Sequence, residues 1–241
     1  MKAKSRIPAL FVLGGAMLLI TNSCDDVLGV KGKGDSRTEI RHVQNFHALD
    51  ISANAQVDLR IDSVYRVEVT CEESIIDYLE TVDDNGVLKI HFDRDVYDVD
   101  NLHIRVWAPY WDAIETYGSV DVNVPDAING DDLNLKLSGS GNMRLFDVDF
   151  KDISALISGD GNVFLDGQGE TLTCTVSGSG NIEALDCPVQ TAKVTISGSG
   201  NARVDVIEQL DVVISGSGDV EYQGDPQVNS QISGSGKVKK I

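Results

Sequence analysis

The chain has 241 residues, with 38 acidic side chains against 20 basic ones and a formal charge of −18. That balance excludes a nucleic-acid partner, which needs clustered Lys and Arg, and it excludes attraction to anionic lipid by charge alone. Only 6% of the residues are aromatic and 23 are glycine, so any core must be built from aliphatic side chains and tight backbone corners.

In chain order, residues 1–23 read as a lipoprotein signal peptide. Lys2, Lys4 and Arg6 make a basic start, and residues 7–20 form an apolar run too short for a comfortable membrane span. Thr21, Asn22 and Ser23 then precede Cys24. A small residue before cysteine at the end of such a run resembles the bacterial lipobox. The resemblance implies cleavage before Cys24 and a lipid on its thiol, hence a partner membrane held through Cys24. Cleavage would remove three positive charges and move the net charge from −18 to −21. Asp25 and Asp26 resemble, weakly, surface-export signals of lipoproteins. Residues 24–39, with the stretch GVKGKGD inside them, read as a flexible tether.

Residues 40–130 read as an N-terminal β portion with degenerate repeats. Residues 46–61 place Leu49 and Ile51 before a corner and Val57 and Leu59 after it, with Ala53 and Ala55 at the corner. Residues 64–71 and 87–92 are further strands, residues 74–81 fit one short helix, and Asp84-Asn85-Gly86 is a turn signal. Residues 101–107 alternate Leu102, Ile104 and Val106 on one face, and Tyr117-Gly118-Ser119-Val120-Asp121 is a second worn corner.

Residues 131–241 carry the clear repeat. SGSGN, or a close variant, begins at Ser138, Ser158, Ser177, Ser197, Ser215 and Ser233, a step of 18 to 20 residues. The residues five, three and one before each first serine are apolar everywhere except Ser230, and those between them are mostly polar. Alternation resumes after the corner, as in Met143/Leu145, Val163/Leu165 and Ile182/Ala184. Each unit is therefore strand, corner, strand and a loop of variable length. A unit this small cannot bury its apolar face alone and must stack on its neighbours. The fold class is all-β, a parallel β-helix with SGSG[ND] corners every 18–21 residues.

The corner glycines are Gly139 and Gly141, Gly159 and Gly161, Gly178 and Gly180, Gly198 and Gly200, Gly216 and Gly218, and Gly234 and Gly236. Glycine there suits either a positive φ or a close approach between stacked corners. The Asn or Asp that follows can bond local backbone or its own counterpart one rung away. Lys237, Lys239 and Lys240 read as gatekeepers on the last rung.

The six SGSG[ND] units, the stretch VEVTCEESIIDYLETVDDNGVLKI at residues 67–90 and IRVWAP at residues 104–109 together resemble the autotransporter-adhesin "head GIN" domain family over residues 46–241. The resemblance implies a β-helix like that of pectin lyases in outline, without catalytic residues, in a secreted or lipid-anchored bacterial protein.

Candidate chemistry is sparse. His42, His47, His91 and His103 lack metal-ligand spacing, no GxSxG elbow occurs, and the SGSG serines read as turn residues. Asp93, Asp95, Asp98 and Asp100 form an oxygen-rich loop without EF-hand spacing, read as solvated rather than calcium-binding. Cys174 reads as core and Cys187 as a loop residue, so a disulfide between them would need that loop to fold over the core. Trp107, Tyr110 and Trp111 are the candidate ligand-facing residues, and the same cluster also reads as a cap on the solenoid end. No cofactor and no metal are expected. The leading function is a non-catalytic, lipid-anchored cell-envelope protein that presents a repetitive surface for adhesion to a glycan or an envelope protein. The rivals are a polysaccharide-acting enzyme, favoured if outward residues form an acid–base pair on adjacent rungs, and a structural or signalling partner in the envelope.

Overall fold

The structure, a computed structural model, describes residues 29–241. The signal peptide, Cys24, Asp25 and Asp26 lie outside the described residues. The strands run in order as β1 (Val30–Lys31), β2 (Ser36–Arg41), β3 (Ala48–Ile61), β4 (Arg66–Glu72), β5 (Leu79–Asp84), β6 (Val87–Phe92), β7 (Val96–Tyr97), β8 (His103–Ala108) and β9 (Ala113–Val124). They continue as β10 (Ile128–Gly139), β11 (Asn142–Ile157), β12 (Asn162–Val176), β13 (Asn181–Ile196), β14 (Asn201–Gly216), β15 (Val220–Gln223), β16 (Gln227–Gly234) and β17 (Val238–Lys240). No helix among them is long and apolar enough to cross a membrane.

From β9 onward each strand pairs in parallel with its counterpart one repeat later, in the register the serine spacing predicts. Leu137, Ile157, Val176, Ile196, Ile214 and Ile232 are successive Cα partners. All but Ile232, on the outermost rung, are buried. At about 4.8 Å per rung, a central residue such as Ile196 is covered by the rung below, the rung above and the opposite wall.

The stretch after the second strand is not a loop. It is a third, short wall of the column: Val148 and Phe150 in one rung, Cys187 and Val189 in another, all point inward and are buried. One rung therefore has three inward runs, for example Met143/Leu145, Val148/Phe150 and Ile153/Ala155/Ile157. Simple alternation misses the middle run because register shifts interrupt the period-two pattern between the first and second walls.

The N-terminal portion departs from chain order. β3 pairs with β9 along eleven residues, as a worn rung should, but its other edge is shared by β6 and β8. The chain therefore lays the rung β6–β8 beneath β3 and then steps over β3 to continue upward at β9. Three antiparallel strands close this end, with β4 on β8, β2 on β4 and β5 on β6. Residues 29–39 are thus not a free tether: β1 pairs with β7 and β2 forms the outermost strand of the cap. The expected helix over residues 74–81 reduces to one 3-10 turn at Ile76–Tyr78. Hairpin pairing with β6 claims Leu79–Asp84, around a turn with Asn85 at φ 54° and Gly86 at φ 89°. On the last rung, Lys239 and Lys240 are tied by ion pairs to Glu221 and Asp225.

Candidate functional site

Stacking in register turns each outward position into a column of side chains along the axis. The residue after the corner makes an amide ladder. Asn162 donates to Asn142 at 2.9 Å, Asn181 to Asn162 at 2.8 Å and Asn201 to Asn181 at 2.9 Å. Asp121, which can only accept, terminates one end by taking the Asn142 amide at 2.8 Å, and Asp219 uses its backbone N–H to reach Asn201 at 3.0 Å. The ladder satisfies polar groups internally and leaves little for a ligand.

Two residues further on, a second column runs through Glu68, Arg105, Asp58, Asn123, Arg144, Phe164, Glu183, Arg203, Glu221 and Lys239. Glu68 holds Arg105 at 2.6 Å, and Asn123 donates to Asp58 at 3.1 Å. Arg203 lies between Glu183 and Glu221 at 3.3 and 3.2 Å. Burial works against the Asp58 carboxylate, but bonds from Asn123 and His103 outweigh it and hold Asp58 below the usual range. One cation breaks the pattern. Arg144 has no carboxylate partner among the described residues and stacks on the Phe164 ring, 4.9 Å from its centroid.

The rungs change length at the same place. The step between first serines is 20 residues from Ser138 to Ser158, 19 from Ser158 to Ser177, and 20 from Ser177 to Ser197. The missing residue falls where the first wall turns into the second. β11 places Phe146 and Asp147, and β13 places Leu185 and Asp186, where β12 has Asp166 alone. A short rung between two longer ones leaves a notch. It is a cleft of about 360 Å³ lined by Arg144, Phe146, Phe164, Leu185, Asp166, Glu183 and Asp186 among others. Phe146 is 44% exposed at its rim. A larger, more polar groove of about 630 Å³ lies on the second wall of the same rungs, over Gly130 and Gly169 and beside Lys151, Gln168, Gln190 and Ile207. For the smaller cleft the signal in the sequence was the unequal serine spacing; alternation alone carried neither.

The three aromatics singled out from the sequence go to different places. Trp111 is 1% exposed, packs on Phe46 and donates its indole N–H to the Arg60 carbonyl at 3.2 Å, so it presents nothing to a ligand. Trp107 is covered by the Arg66 guanidinium at 3.5 Å, and Tyr110 is exposed and stacked on His47. His47, His91 and His103 each face a carboxylate, from Asp112, Glu80 and Asp58. In the acidic loop Asp93 binds Arg94, Asp98 binds Lys31, and the Asp100 backbone donates to Glu72. No group of three His, Cys, Asp or Glu suited to a metal occurs among the described residues. Cys71, Cys174 and Cys187 are unpaired and buried, and burial pushes each thiol up to about 12.

One outward set does bring charges together on adjacent rungs. Asp50 and Glu115 are Cα partners on β3 and β9, flanked by Lys89 and Lys136. Burial and then the Glu115 charge raise the Asp50 carboxyl above its ordinary value. Burial would raise Glu115 too, but Lys136 at 3.0 Å and the Tyr117 hydroxyl at 2.9 Å both donate to it and hold it low.

A putative adhesin from Bacteroides fragilis NCTC 9343 superposes with a TM-score of 0.84 at 20% identity, over 88% of this chain and 100% of its own. A putative lipid binding protein from Parabacteroides distasonis ATCC 8503 gives 0.74 at 22% identity, over 88% and 99%. A putative adhesin from Parabacteroides merdae ATCC 43184 gives 0.70 at 19%, over 88% and 98%. At these identities the likeness is one of fold. No curated protein matches the chain. The family profile described as "Putative auto-transporter adhesin, head GIN domain" matches residues 45–226, and the chain belongs to that family.

Proposed function

We propose that this protein is a non-catalytic cell-envelope protein, anchored by a lipid on Cys24, whose rigid rungs present side-chain columns for adhesion to a ligand on another surface. Membership of a family described as adhesins supports a surface role. The observation that carries the reading is the cleft over the short rung. There Phe164 and an Arg144 without an acid partner interrupt a column that elsewhere pairs its charges, and the exposed Phe146 lines the cleft beside them. Exposed apolar surface rimmed by polar groups is what recognition sites use, and a stacked β-column holds it without the entropy cost of ordering a loop. The anchor is tested by fractionation. Wild type should partition with membranes, Cys24→Ala should be soluble, and a Cys24→Ala variant still held in the membrane fraction contradicts the anchor.

A second reading rests on one observation, the Asp50–Glu115 pair. A carboxyl whose pKa is raised beside one held low is the kind of pairing that acid–base hydrolysis of glycosides uses. Against it, the Glu115 carboxylate is already taken by two donors from its own wall. Hydrolysis of envelope polysaccharide that disappears in both Asp50→Asn and Glu115→Gln would establish it.

A further inference from the structure

We propose that the cleft over the short rung takes a neutral pyranose unit of a polysaccharide. This rests on the adhesion reading above and names its ligand. The walls supply three kinds of group. Phe146, 44% exposed, and the neighbouring Phe164 and Leu185 offer apolar surface. Asp166 and Asp186 offer carboxylate acceptors, Glu183 is paired with Arg203, which also lines the cleft, and Arg144 offers guanidinium donors that no carboxylate among the described residues claims.

Each competing ligand class meets an obstacle in that set. An acyl chain of any length would desolvate the Asp166 and Asp186 carboxylates and the Arg144 guanidinium without pairing them, in a space of about 360 Å³. An anionic sugar or phosphate would face those two carboxylates and a chain of net charge −18, with a single unpaired arginine in return. A cationic ligand has the carboxylates, but it would sit against the Arg144 guanidinium, which already occupies the Phe164 ring. A neutral pyranose uses every group present. Its C–H face packs on an aromatic ring, its hydroxyl hydrogens bond carboxylates, and its hydroxyl oxygens accept from guanidinium N–H groups. The size falls at the low end of small-ligand sites, right for one or two sugar units of a longer chain that runs on across the open surface.

The test is titration calorimetry of the full chain with neutral tetrasaccharides of glucose, mannose, galactose and N-acetylglucosamine. Tetragalacturonate and phosphatidylcholine vesicles provide the acidic and lipid comparisons. At least one neutral tetrasaccharide should bind with a Kd of about 1 mM or tighter. Phe146→Ala should weaken that binding at least about tenfold, and Phe146→Tyr should preserve it. Ile207→Ala, in the other groove, should leave it unchanged, and circular dichroism should show every variant folded. The proposal is overturned if no neutral tetrasaccharide binds, if tetragalacturonate or vesicles bind more tightly, or if Phe146→Ala has no effect. Retention of the full chain on envelope extracts that survives Phe146→Ala would sink this ligand and leave the adhesion reading standing. Failure to bind any envelope material would sink both.

Discussion

At the scale of single residues, the corner glycines are required by stacking more than by backbone conformation. A Cβ on Gly200 would lie 2.0 Å from the Gly180 carbonyl oxygen and 2.7 Å from Val176 Cγ1, and the second glycine of each repeat from Gly161 to Gly236 meets the same kind of contact. The carbonyl belongs to the backbone of the neighbouring rung, so it cannot yield as the end of a flexible side chain would. Gly200→Ala should therefore cost more than about 2 kcal/mol in urea unfolding. Ser199→Ala, at an exposed position one residue earlier, should stay within about 0.5 kcal/mol of wild type. The sequence showed that these positions need glycine. It did not show which reason applied, because the clashing atom lies about 20 residues away in the chain.

Asp50 supplies the pH dependence. Its folded pKa is raised, so between the ordinary carboxylate value and the folded one the native state binds more protons than the unfolded state. Its contribution destabilises at neutral pH and is relieved as pH falls through that window. Glu115 and Asp58, held low, contribute the opposite way: their stabilisation is present above the ordinary carboxylate value and is lost as pH falls from there through their lowered folded pKa. Asp50→Asn should therefore be more stable than wild type at pH 7, by less than about 1 kcal/mol given its partial exposure. The gain should vanish as the pH is lowered past the Asp50 pKa. A constant difference across the acid range would contradict the assignment.

At the scale of elements, the regular rungs were legible because their period-two pattern and serine spacing agree on one register. Ile196 illustrates it: it lies between Val176 and Ile214 with no exposure. Ile196→Ala should cost about 2–5 kcal/mol, since the rungs above and below are hydrogen-bonded and cannot close the gap. A loss below about 1 kcal/mol would mean the column is not packed as described. The middle wall was not legible, since its two inward positions per rung are offset by the register shifts that begin it. Nor was the N-terminal order. Strands β6 and β8 carry ordinary strand patterns, and nothing local to them states that their rung lies beneath β3 while the next chain segment rises above it. That order is set by the antiparallel cap of β2, β4 and β5, which needs an edge to cover.

For the whole molecule, the repeat that makes the fold legible hides the function, because it makes every rung alike. The informative places are departures from it: the 19-residue rung, the phenyl ring in a charge column and the Asp50–Glu115 pair. Phe164 follows the corner Asn162 by two residues, an outward position by the period-two pattern. Its meaning came only once stacking set it against Arg144 and left Phe146 at the rim of a notch. On the function proposed above, the molecule holds its ligand without transforming it. The most direct measurement passes bacterial envelope polysaccharide over the immobilised full chain, then compares the size distribution of the eluted material with the input. Saturable retention, release by excess free protein, and an unchanged size distribution after prolonged contact are expected. A progressive shift to shorter chains, lost in Glu115→Gln, would show an enzyme and contradict that function.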